Sequence, residues 1–90
     1  MVVAYEPVWA IGTGVNATPE QAQQGAAEIR GLVKEQFGEG SARALPILYG
    51  GSVNAANAAT LMHLSDMDGG LIGHASLEAD QFLSIVRSAI

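Results

Sequence analysis

The sequence predicts an α/β fold of three consecutive strand-then-helix units on a parallel sheet. Short apolar runs recur three times, each stops at a polar or glycine-rich turn, and each turn leads into a stretch whose apolar residues have helical spacing. The composition agrees: of 90 residues 49% are hydrophobic and only 14% charged, which suits a buried α/β layer and excludes a disordered tail. One domain is expected over residues 1–90. A chain of this size buries only roughly 60–65% of its unfolded surface, so any core it builds by itself is marginal.

The first strand is Val2-Val3-Ala4-Tyr5. It stops at Glu6-Pro7, because proline restricts the residue before it and has no N–H to donate. After a loop of Gly, Thr and Asn, Thr18-Pro19-Glu20-Gln21 forms a helix start, with a hydroxyl N-cap, proline at the first position and glutamine completing a capping box. Ala22, Ala26, Ile29, Val33 and Phe37 make the expected buried stripe, and Gly38 and Gly40 end the helix. Gly25 and Gly31 weaken it, each by roughly 1 kcal/mol relative to alanine if exposed.

The second unit has Leu45-Pro46-Ile47-Leu48-Tyr49 as strand, Gly50-Gly51-Ser52 as turn and a helix from about Asn54 to Leu64, with Asn54 as N-cap. The third has Gly70-Leu71-Ile72 as strand, Gly73-His74-Ala75-Ser76 as turn, and a helix near Asp80 to Ile90 with Phe82, Val86 and Ala89 facing inward. Parallel strands joined by crossover helices put all strand-to-helix turns at one end of the sheet, so Glu6, Ser52 and His74 converge there. That is the layout of the active-site face of a (β/α) barrel or of an open doubly wound sheet.

Charge narrows the ligand. A net charge of −5 with four Lys and Arg in total supplies no basic patch for a nucleic-acid backbone. A small phosphate must then be held by backbone N–H groups in glycine-rich loops. The absence of cysteine removes disulfides and thiolate metal sites. No apolar run approaches spanning length and the opening residues lack a basic leader, so a soluble, cytosolic protein with no membrane contact is expected.

Three segments carry a specific resemblance. Ala4-Tyr5-Glu6-Pro7-Val8-Trp9-Ala10-Ile11-Gly12-Thr13-Gly14 resembles the catalytic glutamate and lid of the triosephosphate isomerase family. Tyr49-Gly50-Gly51-Ser52-Val53 resembles that family's seventh-strand phosphate loop, and Gly69-Gly70-Leu71-Ile72-Gly73-His74-Ala75-Ser76-Leu77 its eighth. The order and spacing agree, and the resemblance covers the whole chain. It implies three consecutive βα units, strands six to eight, of a (β/α)8 TIM barrel. It also implies interconversion of dihydroxyacetone phosphate and glyceraldehyde 3-phosphate through an enediolate, without a cofactor or metal.

By this resemblance Glu6 is the base and Pro7, Val8, Trp9, Ala10, Ile11, Gly12, Thr13 and Gly14 are the lid. Gly12, Ser52, Gly73 and His74 hold the phosphate, mostly through backbone N–H groups, and Leu71 lines the pocket. A lid that dries the pocket raises the basicity of a carboxylate and protects the enediolate. The family's lysine and histidine lie on strands one and four, outside these 90 residues, and a whole barrel takes about 250. The expected partners are therefore the small triose phosphate, the N-terminal portion of the barrel, and further copies of the chain. An engineered piece, a truncated gene and a partial sequence with a start codon all fit Met1 directly before the first strand.

Plainer readings stand beside these. Glu before Pro at a strand end is ordinarily a solvated loop residue, and Ser52 alone is an ordinary turn serine; only the surrounding matches lift them. Tyr49 is read as packing at the sheet end, Met62 and Met67 as gap filling, and His63 as a surface residue with no second ligand at metal spacing. The chain departs from the family pattern at Val15, where a lysine is typical, and at His74, where a second glycine is typical. The latter change costs roughly 1–2 kcal/mol if φ there is positive and nothing if it is negative. A non-catalytic phosphate-binding module and a self-associating barrel fragment are the alternative functions.

Overall fold

In the computed structural model, residues 1–7 and 17–90 are described; the expected lid positions 8–14 and Val15 lie outside them. The three units form in order: β1 (Val3–Tyr5), α1 (Pro19–Phe37), α2 (Glu39–Ala44), β2 (Ile47–Tyr49), α3 (Ala58–Met62), β3 (Gly69–Gly70), a 3₁₀ turn at His74–Leu77, and α4 (Ala79–Ser88). The strands make one parallel sheet in the order β1-β2-β3. Tyr5 is in register with Tyr49, and Tyr49 with Gly70. Since the three strands end level, the segments that follow them emerge side by side.

Helix α1 starts as its local chemistry dictates. The Thr18 hydroxyl accepts from the Gln21 N–H at 3.1 Å while the Gln21 side chain accepts from the Thr18 N–H at 3.0 Å, a complete capping box. Ala22 and Ala26 are fully buried, and small side chains there let the helix lie close to the sheet. At Gly25 an added Cβ would run into the Tyr5 ring, so this glycine is a packing requirement rather than a plain weakness. Gly31 faces open space.

Four expectations about the helices need correction. Phe37 is 69% exposed: a 19-residue helix is about 28 Å long at 1.5 Å per residue, whereas three-residue strands run only about 10 Å, so the last turn overshoots the sheet. Gly38, at φ 92°, ends α1 with its N–H donated to the Lys34 carbonyl, but the chain turns directly into the additional helix α2. The helix expected from Asn54 begins at Ala58. The Asn54 side chain instead accepts from the N–H groups of Ala56 and Asn57 at 2.8 and 3.1 Å, and this side-chain turn competes with helix initiation. In α4 it is Ile85 that is buried, while Phe82 and Val86 are 39% and 40% exposed and Ala89 is exposed as well. These three line, with Met62, Ile72 and Ile90, an apolar groove of about 270 Å³ beside β3; the stripe is real, but the three-stranded sheet does not cover it.

The core is closed by Ile47, Tyr49 and Leu61, all essentially inaccessible. Tyr49 is packing, as expected, and its hydroxyl is satisfied by the Ala17 N–H at 3.1 Å. At the end of the sheet where strands begin, Arg30, with 17% of its side chain exposed, uses every guanidinium nitrogen. It donates to Asp66 and Asp68 carboxylates at 3.1 and 3.0 Å and to the carbonyls of Ala42, Leu45 and Asp66. Asp68 also accepts from the Ile47 N–H at 2.8 Å. This clamp joins α1, α2 and the starts of β2 and β3, opposite the strand ends.

Candidate active site

Three strand ends build the site. The Gly50 N–H donates to the Tyr5 carbonyl at 2.8 Å and the Leu71 N–H to the Tyr49 carbonyl at 2.9 Å, which carries the ladder one residue past each strand and sets Glu6, Gly50 and Leu71 abreast. The absence of a side chain at Gly50 leaves room for Glu6, since a Cβ there would strike the Glu6 side chain. Gly51 is bare for a similar reason, its missing Cβ facing the Tyr49 ring. Glycines thus let the carboxylate and the second loop approach each other.

The result is a cleft of about 320 Å³ lined by Glu6, residues 50–53 and residues 71–75. It brings together five of the expected site residues: Glu6, Ser52, Leu71, Gly73 and His74. Pro7 is buried beside it in sequence, while Gly12 and the other lid positions, Val8 to Gly14, fall outside the described residues. Glu6 is exposed, in contrast to the dry surroundings expected of it; the segment expected to cover it is among the positions not described. His63 is exposed, as expected, with its ring nitrogen 2.8 Å from the Ser88 carbonyl.

Among the described residues no arginine or lysine lines the cleft. Besides the side chains of Glu6, Ser52 and His74, its polar groups are backbone. Among the described residues, the N–H groups of Gly51, Ser52, Val53, Gly73, His74 and Ala75 have no protein acceptor. Asn57 steadies the first loop by donating to the Ser52 carbonyl at 3.0 Å, and Ser76 steadies the second by donating its N–H to the Gly73 carbonyl at 3.0 Å. The described non-glycine residues all have negative φ, so His74 sits where glycine is not required. Val53, Ile72 and Ala75 also line the cleft; sequence reasoning passed over them, although each adjoins a residue it did select.

In a comparison with known families, the family model described as "Triosephosphate isomerase" covers residues 1–89. The chain belongs to the triosephosphate isomerase family. The triosephosphate isomerase of Chloroherpeton thalassium is 61% identical over 89 residues, covering 99% of this chain and 35% of that protein. That of Chlorobaculum tepidum is 58% identical with 36% of it covered, and that of Thermus thermophilus 54% with 36% covered. The chain therefore spans about a third of the length of the isomerases it matches. No helix among the described residues is long and apolar enough to cross a membrane.

Proposed function

We propose that the cleft is the base-and-phosphate half of a triosephosphate isomerase active site, with Glu6 as the base that interconverts dihydroxyacetone phosphate and glyceraldehyde 3-phosphate. The observation that carries this reading is a carboxylate on the same cleft as six backbone N–H groups without protein acceptors among the described residues. Such loops hold a phosphate without cationic side chains. In the reaction Glu6 takes a proton from the hydroxyl-bearing carbon next to the carbonyl, the carbon–hydrogen electron pair forms the enediolate double bond as the carbonyl π pair moves onto its oxygen, the carboxylic acid returns the proton to the former carbonyl carbon, and the hydroxyl proton passes from one oxygen to the other. No electron acceptor or cofactor is needed. Residues 7–14 serve as the lid that excludes water during transfer, and Leu71 lines the pocket.

A base and a phosphate grip do not complete the site. This family is a standard example of a glutamate base paired with a neutral histidine electrophile, and the cleft has no lysine and no histidine besides His74 in the phosphate loop. Without such groups the developing oxyanion loses stabilisation of about 2.7–4 kcal/mol per donor. The N-terminal part of a barrel supplies them, as the C-terminal portion represented here supplies Glu6. The open edge of β3 and the adjoining groove of about 270 Å³ fit that part, or failing it a second copy, because an unpaired parallel edge favours association. The test is a coupled isomerase assay of the chain alone and mixed with the first five βα units of a relative. Activity only in the mixture is expected; turnover by the isolated monomer would overturn the need for the second part, and an inactive but assembled complex would overturn the enzyme reading.

A further inference from the structure

We propose that the His74 side chain is a phosphate ligand in its own right, making the cleft's hold on anions depend on pH. The inference rests on the cleft being the phosphate site and goes beyond it, from backbone N–H groups to a titrating side chain. Among the described residues that line the cleft, only Glu6, Ser52 and His74 have side chains with polar atoms. Glu6 repels an anion and Ser52 offers one neutral O–H. Among the described residues His74 is the only lining one able to carry positive charge, in a chain with four lysines and arginines, none of which is among the described lining residues.

The ring is available for the task. His74 opens the 3₁₀ turn that forms the cleft wall, it is exposed, and among the described residues its ring makes no hydrogen bond. Its backbone is unstrained, so its conformation leaves the loop geometry intact. A neutral imidazole donates one N–H, whereas the protonated ring donates two and adds a charge. The charged groups on the elements around it are Glu6 after β1, Glu78 and Asp80 at the head of α4 and Arg87 in the last turn of α4; the loop of residues 50–53 has none. Arg87 is not among the residues that line the cleft and the other three are carboxylates, so His74 is the counter-charge that a bound dianion finds there. Anion affinity accordingly rises as pH falls and the ring gains its proton.

Inorganic sulfate is the probe, because it remains a dianion throughout the relevant range whereas a phosphate ester changes its own charge. Backbone amide shifts of Ser52 and Gly73 are followed during sulfate titrations at about pH 5.5 and about pH 8.5, for the unaltered chain and for His74→Gln. The expected result is affinity about tenfold higher at the lower pH, with His74→Gln still binding through the loops but with most of the pH dependence gone. Equal pH dependence in His74→Gln would assign it to Glu6 and overturn the proposal. So would binding that is independent of pH in both proteins, which leaves the phosphate site itself intact. Absence of any shift at Ser52 and Gly73 in either protein would overturn the site and the proposal together.

Discussion

Replacing Gly50 by alanine places a methyl group against the proposed base. An ideal Cβ at this position lies 3.0 Å from the Glu6 Oε1 and 3.1 Å from its Cδ, and closer still to Cγ. Backbone strain is absent, since φ at Gly50 is not in the left-handed region, and the neighbour is the movable end of an exposed side chain. The collision is therefore relieved by swinging the carboxylate aside, by about 1 Å, rather than by unfolding. Displacement of a reacting group by that distance costs about a hundredfold in rate, while a surface-accessible adjustment of this kind costs stability of less than about 0.5 kcal/mol. In the complex with the N-terminal barrel units, Gly50→Ala is expected to lower kcat about a hundredfold and to leave Tm and KM nearly unchanged. A coupled isomerase assay alongside a thermal melt reads both. Retention of more than half the activity would refute the placement of Glu6 against Gly50 as the productive one, and a large fall in Tm would show that the sheet, not the carboxylate, yields.

The two helix glycines are expected to behave oppositely. Gly31→Ala meets nothing within 4 Å and should raise stability by about 0.5–1 kcal/mol in urea unfolding, through helix propensity alone. Gly25→Ala gains the same propensity but drives a Cβ into the Tyr5 ring, and a net loss of about 1–3 kcal/mol is expected; equal behaviour of the two variants would contradict the packing described for α1.

What was legible in the sequence depended on how local its cause is. The start of α1 was readable because the capping box spans four residues, Thr18 to Gln21, and both its bonds form. The three strands were readable to within two residues, since apolar runs and their glycine stops are local too. The convergence of Glu6, Ser52 and His74 followed from parallel topology, which fixes where strand ends lie, whereas Leu71 and Gly73 were singled out only by the family resemblance. The burial of Phe37 was misjudged because it depends on helix length relative to sheet length, a comparison between elements. The α4 stripe was misplaced for a like reason: Phe82, Val86 and Ala89 share a face, but only the packed fold decides that Ile85 meets the core. The Arg30 clamp went unread because its partners Asp66 and Asp68 are 36 and 38 residues away, and no spacing rule connects them. Asn54 was assigned the right chemistry in the wrong place, capping a turn four residues before the helix.

The most direct test of the central claim is the Glu6→Gln variant in the assembled barrel. Glutamine keeps the shape of the side chain but cannot accept the proton, so kcat should fall by about a thousandfold or more while binding of a phosphate-bearing substrate analogue changes by less than about threefold. Single-turnover kinetics and an analogue titration on the same preparation separate the two quantities. Activity above about a tenth of that of the unaltered protein would remove Glu6 from the role of base and, with it, the reading of this cleft as an isomerase site.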